Sequence, residues 1–513
     1  RLHASTAPLP DLPPCSTHLP PSDMPMDDYY GSSVDGDPLT LILLNKQRLD
    51  TAYSITETAT LVSRLRLLAD NDLVKGIVVP VENKQTISDA YAAWDEENAC
   101  NPLAANQVAE AIKTDIILPY YSEYSPTLRY LVVVGDDQMI PFYRVPDDAY
   151  IANESVYTAH SRVEEDNPTH AALELGYLLT DDFYADYSPL LWRGRELFIP
   201  DLSPGRLVET PQEISLLIEA FLESGGGLYP DTAFVTGYDF LIDSAEAISH
   251  TLRGAGLSTS GPIHDAWTAT DLSSGWLDTR RDVASINAHF DHWQAIPAAG
   301  PDTLDALAVT NSTVMNGTIN FSMGCHSGFS VHDDHNPTYP LDFAQALARN
   351  GAWWVGNTGY GYGMDDSIAF TERLMHLFSA ELFSAPQVAV GEALRLAKNR
   401  YLSTTPSGGF GTYDEKALII STLYGLPMYQ VSPPMRLQAE HPIPNAQISA
   451  SQLGAQGLVT QAVTFDLASA FQLETGSAYG RYYSINGEVQ ANPGRPVQPR
   501  TSQELMPPPG QNP

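Results

Sequence analysis

Two stretches of the chain place residues capable of nucleophilic chemistry directly after apolar, strand-like runs. In "INFSMGCHSGFSV", residues 319–331, the run ends before a glycine and Cys325 follows. In "SINAHFDHWQAIP", residues 285–297, a similar run ends at His289, and His292 comes three residues later. A cysteine reacts as the thiolate, which a neighbouring imidazole favours by hydrogen bonding and charge. The sequence therefore predicts a Cys–His dyad in which Cys325 pairs with one of the two histidines.

The same part of the chain offers a competing chemistry, because histidine and cysteine are good zinc ligands. The candidate zinc ligands are His289, His292, Cys325, His326, His332 and His335. No pair among them has a recognised helical or zinc-knuckle spacing, so a zinc-dependent hydrolase is the weaker hypothesis. A serine hydrolase is excluded as far as the motif goes, since the segment around Cys325 has no Gly-x-Ser-x-Gly.

The elements that must position these residues are predicted by strand-like segments that alternate with helix-like ones. Strands are predicted at 39–45, 75–81, 128–142, 232–239, 283–290, 317–324 and 351–359, and helices at 57–70, 211–224, 243–255, 367–383 and 387–401. This alternation predicts an α/β fold with a mostly parallel sheet and helices on both faces. Ligands of such sheets bind beyond the carboxyl ends of the strands, where His289 and Cys325 both lie.

Composition divides the chain into five predicted parts. They are an extended Pro-rich arm (1–38), an N-terminal α/β subdomain (39–165), a second α/β subdomain that carries the candidate site (166–434), a small β-rich, sandwich-like domain (435–490) and a Pro-rich tail (491–513). The arm and the tail are too rich in proline to bury a core of their own.

Charge and cysteine content exclude some classes of partner. The chain has 62 acidic and 27 basic side chains and a net charge of −35, a field that repels nucleic acid. No apolar run reaches the length of a membrane span. With only Cys15, Cys100 and Cys325, at most one intrachain disulfide forms, so at least one thiol is left over. The composition, including its few lysines and few thiols, favours an extracellular or cell-surface setting.

Taken in order along the chain, several segments resemble the gingipain-like family within the caspase-type clan of cysteine peptidases. The segments are "YLVVVGDDQMIPFY" (130–143), "TDDFYADYSP" (180–189), "ELFIPDLSPGRL" (196–207), "FAQALARNGAWWVGNTGYG" (343–361) and "YGLPM" (424–428). Together with the strand-His and strand-Cys pair, the resemblance spans about 128–432. It implies a caspase-like α/β fold and a cysteine endopeptidase that acts on proteins or peptides.

The resemblance also implies roles for individual residues. Cys325 matches the nucleophile, and His289 matches the catalytic histidine. Family members commonly have glycine after that histidine, and its backbone N–H contributes to the oxyanion hole with the N–H of the cysteine. This sequence has Phe290 there instead, which keeps His292 open as an alternative base. The backbone N–H groups of Cys325 and Phe290 are the expected oxyanion donors.

Substrate preference and ions follow from the same resemblance. Well-known members cleave after Arg or Lys, whose side chain pairs with a carboxylate in the S1 pocket. Asp181, with Asp182 beside it, matches that carboxylate, and Glu174 is a candidate for orienting the catalytic histidine. The resemblance further implies a structural calcium ion, without a cofactor in the reaction. A catalytically silent binding or assembly module of a larger surface protein is the alternative function.

Overall fold

The structure is a computed structural model. It describes residues 29–97, 99–125, 127–339, 341–405 and 409–434, together with Cys15, Leu19 and short strands between 447 and 499. The chain divides into two compact units, one formed by residues 1–398 and 412–436 and the other by 399–411 and 437–513. The candidate site lies in the first unit.

The first unit is built on one eleven-stranded sheet. In chain order its strands are β1 (Tyr30–Gly31), β2 (Thr40–Leu44), β3 (Gly76–Pro80), β4 (Tyr130–Val134), β5 (Ser203–Leu207), β6 (Thr232–Thr236), β7 (Ser258–Ser260), β8 (Val283–Ile286), β9 (Ile319–Phe321), β10 (Trp353–Asn357) and β11 (Ser421–Tyr424). Across the sheet they follow the order β1-β3-β2-β4-β5-β11-β10-β9-β8-β6-β7. The strands predicted for both α/β subdomains therefore lie in one sheet.

Apart from the edge strand β1, which pairs antiparallel with β3, strand direction reverses in the middle of this sheet. β4, β5 and β11 are parallel neighbours, whereas β11 and β10 pair antiparallel. Beyond β10, the strands β9, β8 and β6 are again parallel to one another. The carboxyl ends of β8 and β9 consequently face one edge of the sheet, and those of β4 and β5 face the opposite edge.

Helices cover the strands, as the sequence pattern predicts. They span Lys46–Ala52, Ile55–Ala69, Gln85–Glu97, Pro102–Ile112, Leu118–Tyr124, Glu154–Ser161, Pro168–Glu174, Asp182–Ala185, Pro211–Glu223, Ile242–Gly254, Ala269–Leu272, Ala306–Val309, Phe343–Arg349, Phe370–Glu381, Val390–Thr404 and Thr412–Ile419. Local chemistry fixes their ends: Thr210 and Glu213 form a reciprocal capping box at the start of Pro211–Glu223. The central strands are buried along their whole length, which explains their continuous apolar runs.

Several shorter strands lie outside the central sheet. Tyr143–Pro146 pairs with Tyr177–Thr180, Leu190–Trp192 with Arg195–Leu197, and Gln430–Val431 with both Gly227–Leu228 and Val388–Ala389. A three-stranded antiparallel sheet of His289–Asp291, Gln294–Ile296 and Leu304–Asp305 directly follows β8. This small sheet carries His289 on its first strand.

The predictions about cysteines, domain boundaries and membrane spans have different outcomes. Cys15 and Cys100 form a disulfide, and Cys325 is a free thiol, in line with the cysteine count. Most of the predicted arm (1–38), β-rich domain (435–490) and tail (491–513) lie outside the described residues, and the domain boundaries stay predictions. Among the described helices, none is both long and apolar enough to cross a membrane.

Candidate active site

Cys325 lies four residues beyond β9, where the chain turns at the carboxyl edge of the sheet. The residue is partly exposed, and its thiol donates a hydrogen bond to the Gly361 carbonyl oxygen at 3.6 Å. Burial of the sulfur raises the pKa of Cys325 to about 11. The group therefore rests as a thiol at neutral pH, and a base must take its proton before it can attack.

His289 begins the short strand that follows β8 and is also partly exposed. Its backbone N–H donates to the Tyr238 hydroxyl, and the rings of Tyr238 and Phe240 flank its imidazole at 5.6 and 5.8 Å. Burial lowers the pKa of His289, while the negative charge of Asp239 acts in the opposite direction. An imidazole that is neutral at neutral pH can accept a proton, as a general base must.

The loops that carry Cys325 and His289 are in direct contact. β8 and β9 are parallel neighbours in register, with Ser285 opposite Phe321, so both loops leave the same edge. A Cβ atom on Gly324 would lie 2.8 Å from the Ala288 carbonyl oxygen and would overlap the Phe290 ring. The residue before the cysteine is therefore packed on both neighbours of His289, and only glycine fits there.

His292 does not suit the role of alternative base. Its side chain is fully buried, and both ring nitrogens are engaged. Nε2 accepts a hydrogen bond from the Asn336 side-chain amide at 2.8 Å, which leaves Nδ1–H to donate to the Tyr157 hydroxyl at 2.7 Å. Burial lowers the pKa of His292 to about 3, so the ring stays neutral and structural. The assignment of His292 as a base is wrong on this geometry.

The predicted S1 carboxylates are already paired with cations of the chain. Arg206 binds Asp181 with two hydrogen bonds of 2.8 and 2.6 Å, and both side chains are buried. Asp182 accepts two hydrogen bonds from the buried Lys398 ammonium at 2.8 and 2.7 Å. A substrate cation would have to displace a buried partner in each case, so the assignment of Asp181 and Asp182 to S1 is wrong.

The orienting role assigned to Glu174 also needs correction. Glu174 is exposed at the end of the helix Pro168–Glu174, and its charge acts on His170. The carboxylate that acts on His289 is Asp239, which follows β6 at the same edge of the sheet. The sequence signal was present, because "TAFVTGYD" also reads as a strand that ends in a polar residue.

Sequence reasoning missed a fully buried ionic network directly behind Cys325. The next residue, His326, has a left-handed backbone (φ 54°) and bonds through Nε2 to a Glu154 carboxylate oxygen at 2.8 Å. Lys416 bridges Glu154 and Asp147 at 2.7 Å each. Despite burial, its cationic and hydrogen-bonding partners hold the pKa of Glu154 at about 2, so this carboxylate is ionised. The network fixes the turn that presents the nucleophile.

The proposed oxyanion donors have different surroundings. Phe290 pairs with Ala295 in the small antiparallel sheet, and its ring packs in the core against Phe343 and Trp354. The N–H of Cys325 belongs to the turn between Gly324 and His326. Their roles as oxyanion donors stay predictions.

One group of side chains in the described part of the chain could hold a metal ion. It consists of Asp136, Glu209 and His332, whose ligand atoms lie within 4.8 Å of one another. Of the six residues suggested for zinc, only His332 belongs to it, so that catalytic zinc site is wrong as composed. Two carboxylates and an imidazole also differ from the six to eight oxygen ligands that calcium takes, so this group does not fit the implied calcium ion.

Comparisons with known proteins agree with this architecture. The search of solved structures finds the complex of the Porphyromonas gingivalis RgpB pro- and mature domains, with 13% identity, a TM-score of 0.50 and coverage of 83% of this chain and 91% of that one. It also finds the Arg-specific cysteine proteinase gingipain R, with 12% identity, a TM-score of 0.50 and coverage of 85% and 92%. No family model matches the sequence, and no curated protein matches it.

These likenesses define the class of fold. The chain has a gingipain-like fold, with a large, mostly parallel sheet of the caspase type. At 12–13% identity these likenesses show the fold alone. The chemistry depends on the residues at the carboxyl edge of β8 and β9.

Proposed function

We propose that the chain is a cysteine endopeptidase in which Cys325 is the nucleophile and His289 the general base. The observation that carries this proposal is the packing of Gly324 on Ala288 and Phe290, which brings the loops of the two residues together. Cys325 is also the free thiol of a chain whose other cysteines form a disulfide. The likeness to a cysteine proteinase fold adds support.

In the proposed reaction, His289 takes the proton of the Cys325 thiol as the sulfur attacks the scissile carbonyl carbon. The tetrahedral oxyanion accepts hydrogen bonds from backbone N–H groups, for which Cys325 and Phe290 are the candidates. The imidazolium of His289 then gives its proton to the leaving amine, and a thioester to Cys325 remains. Water, deprotonated by the same imidazole, hydrolyses the thioester and restores the thiol. Asp239 favours the imidazolium, because its charge raises the pKa of His289.

We propose that cleavage follows Arg or Lys, with Asp243 and Glu372 as the acidic pair that recognises the basic side chain. Gly363 lies between Glu372 and the Phe240 ring, which flanks His289. A Cβ atom on Gly363 would be 2.6 Å from Glu372 Oε1 and 2.6 Å from that ring, so the acidic pair lies close to the catalytic histidine. Burial, together with the charge of Asp243, raises the pKa of Glu372 to about 7. Glu372 Oε1 has no hydrogen-bond partner in the part of the chain that the structure describes, and a guanidinium or ammonium would supply one.

An extracellular setting is part of the proposal. The Cys15–Cys100 disulfide supports it, since such bonds persist in oxidising compartments. Substrates there would be proteins or peptides, and the chain would belong to a larger surface protein if it acts as a module.

Hydrolysis of a library of fluorogenic peptides tests the proposal. We expect wild-type protein to cleave after Arg or Lys, and Cys325→Ala and His289→Ala to lose at least about 1,000-fold in kcat/KM. Thr270→Ala, on an exposed helix surface, is the control and should keep full activity. Full activity of Cys325→Ala would refute the peptidase mechanism. A wild-type protein that binds peptides without cleaving any would instead indicate the silent binding module.

The basic-residue preference has its own test. Asp243→Asn and Glu372→Gln should lower kcat/KM for Arg and Lys substrates relative to substrates with a neutral residue at the cleavage point. An unchanged preference in both variants would remove the acidic pair from substrate recognition.

A further inference from the structure

Three side chains from separate parts of the chain meet where β4 and β5 end, at the edge of the sheet opposite to the one where β8 and β9 end. Asp136 follows β4, Glu209 follows β5, and these parallel neighbours end side by side. His332 lies on the segment that leads from Cys325 to the helix Phe343–Arg349. One potential ligand atom from each residue lies within 4.8 Å of the other two. The reversal of strand direction thus creates a second place where polar side chains converge, distinct from that of Cys325.

Each of the two carboxylates of this group has an oxygen that no other described residue contacts by a hydrogen bond. Asp136 Oδ1 accepts hydrogen bonds from the backbone N–H groups of Gln138 and Met139 at 2.9 and 3.1 Å, whereas Oδ2 accepts none. Glu209 Oε1 accepts from the Asp333 N–H at 3.3 Å, whereas Oε2 accepts none. Both residues are only 1% exposed, so water does not solvate these oxygens. A buried carboxylate in this state needs a compensating charge.

The described part of the chain does not supply that charge. No described Lys or Arg side chain forms an ion pair with Asp136 or Glu209. Asp333 adds a further carboxylate with an unpartnered oxygen, and Arg349, 2.7 Å away from Glu213, is ion-paired there. The cluster therefore gathers buried carboxyl groups whose charge must be balanced by protons or by a cation, and a divalent cation would supply that balance.

We propose that Asp136, Glu209 and His332 bind one divalent cation. His332 Nε2 lies 3.8 Å from Glu209 Oε1, close enough for both atoms to reach a common ion. His332 Nδ1 accepts a hydrogen bond from the Asp334 backbone N–H at 3.2 Å, so in the metal-free chain the imidazole proton lies on Nε2. Binding of the ion at Nε2 would move that proton to Nδ1, where the Asp334 carboxylate lies 3.9 Å away. Two carboxylates and an imidazole favour Mn²⁺ or Zn²⁺ over Ca²⁺, which takes oxygen ligands.

The proposed ion would act as a structural brace. It would tie the ends of β4 and β5 to the segment that follows the nucleophile, and so limit the motion of that segment. This metal site does not depend on the proposed peptidase activity, because none of its ligands takes part in the proposed reaction and its test measures metal binding alone.

The experiment uses the full chain with Cys325→Ala, so that neither the free thiol nor self-cleavage interferes. After chelator treatment and dialysis, MnCl₂, ZnCl₂ and CaCl₂ are titrated separately by calorimetry, and thermal unfolding is measured with each. We expect one equivalent of Mn²⁺ or Zn²⁺ to bind and to raise Tm. Adding Glu209→Gln or His332→Ala should each weaken this binding by at least about 100-fold.

Two matched variants control for effects of substitution itself. Glu82→Gln alters another buried carboxylate with an unpartnered oxygen, and His170→Ala removes another imidazole with an unpartnered nitrogen. Both lie outside the cluster, so both should keep the binding. Glu209→Gln replaces a buried carboxyl group that has an unpartnered oxygen with a neutral amide of the same shape. The metal-free Tm of that variant should therefore equal or exceed that of its parent, which separates lost binding from misfolding.

Three results would overturn the proposal. One is the absence of binding at one equivalent by any of the three ions. Another is binding that Glu209→Gln and His332→Ala leave intact. The third is calcium that binds His332→Ala as tightly as the parent, which would remove the imidazole from the ligand set.

Discussion

Glu154 offers the sharpest test of how the fold supports the nucleophile. The side chain is completely buried and joins Lys416 to His326, the residue after Cys325, through contacts of 2.7 and 2.8 Å. Glu154→Gln keeps the shape of the side chain and removes its charge. Among the described residues, Lys416 then keeps Asp147 as its one ionic partner. The left-handed turn at His326 loses the carboxylate that holds its ring.

The expected loss of unfolding free energy follows from the pKa of Glu154. It lies at about 2 in the folded chain, against 4.5 for an ordinary glutamate, a difference worth on the order of 3 kcal/mol of stability above pH 5. Breaking a buried ion pair by removing one partner costs about 3–5 kcal/mol, which agrees. Because the folded pKa is the lower one, this stabilisation is present above the unfolded pKa and is lost as the pH falls from about 4.5 towards 2.

The assay combines urea unfolding with steady-state hydrolysis. Glu154→Gln should lose about 3 kcal/mol of unfolding free energy near neutral pH, and much of the difference from wild type should vanish near pH 2.5. A shift of the nucleophile by about 1 Å can cost about 100-fold in rate, so kcat should fall by up to that factor. Asp182→Asn, which breaks the buried Lys398 pair, is the matched control and should lose stability while keeping kcat. Equal losses of kcat in both variants, or none in Glu154→Gln, would refute the positioning role.

Three further predictions concern the site. Asp239→Asn should move the acid limb of the kcat/KM profile to lower pH, because the Asp239 charge raises the pKa of His289; a limb that stays in place would contradict this. In His289→Ala, the rate of Cys325 alkylation should rise with pH up to about pH 11, because the thiol then ionises with its own raised pKa. A rate that levels off near neutral pH would show that another base takes the proton. Asp181→Ala should lower the free energy of unfolding by at least about 3 kcal/mol, because it leaves the Arg206 guanidinium buried without its carboxylate. The preference for Arg or Lys at the cleavage point should stay unchanged, and its loss would restore the S1 role of Asp181.

Much of the fold could be predicted from the sequence because its strands are buried on both faces. Apolar runs such as those of β4 and β10 stand out between helices, and the ends of β8 and β9 place His289 and Cys325 at one edge. The reversal of strand direction in the middle of the sheet could not be predicted, since it depends on the antiparallel pairing of β10 and β11. That reversal explains why Asp136 and Glu209 converge away from Cys325.

The roles of Asp181 and Asp182 could not be predicted because both pair with cations from distant parts of the chain. Arg206 lies inside a buried strand, and nothing local shows that its guanidinium turns to Asp181. Lys416 and Glu154, which lie on separate helices, likewise come together only in the folded chain. His292 illustrates the opposite error, since a histidine beside a predicted site is here a buried residue with both ring nitrogens bonded.

Covalent labelling tests the central claim most directly. The protein is treated with an arginyl peptide chloromethyl ketone, digested and mapped by mass spectrometry while peptide hydrolysis is followed in parallel. The account predicts one adduct per chain, located on Cys325, with activity falling in proportion to labelling and with much slower labelling in His289→Ala. Hydrolysis that persists after Cys325 is fully modified, or inactivation with the adduct elsewhere, would contradict it.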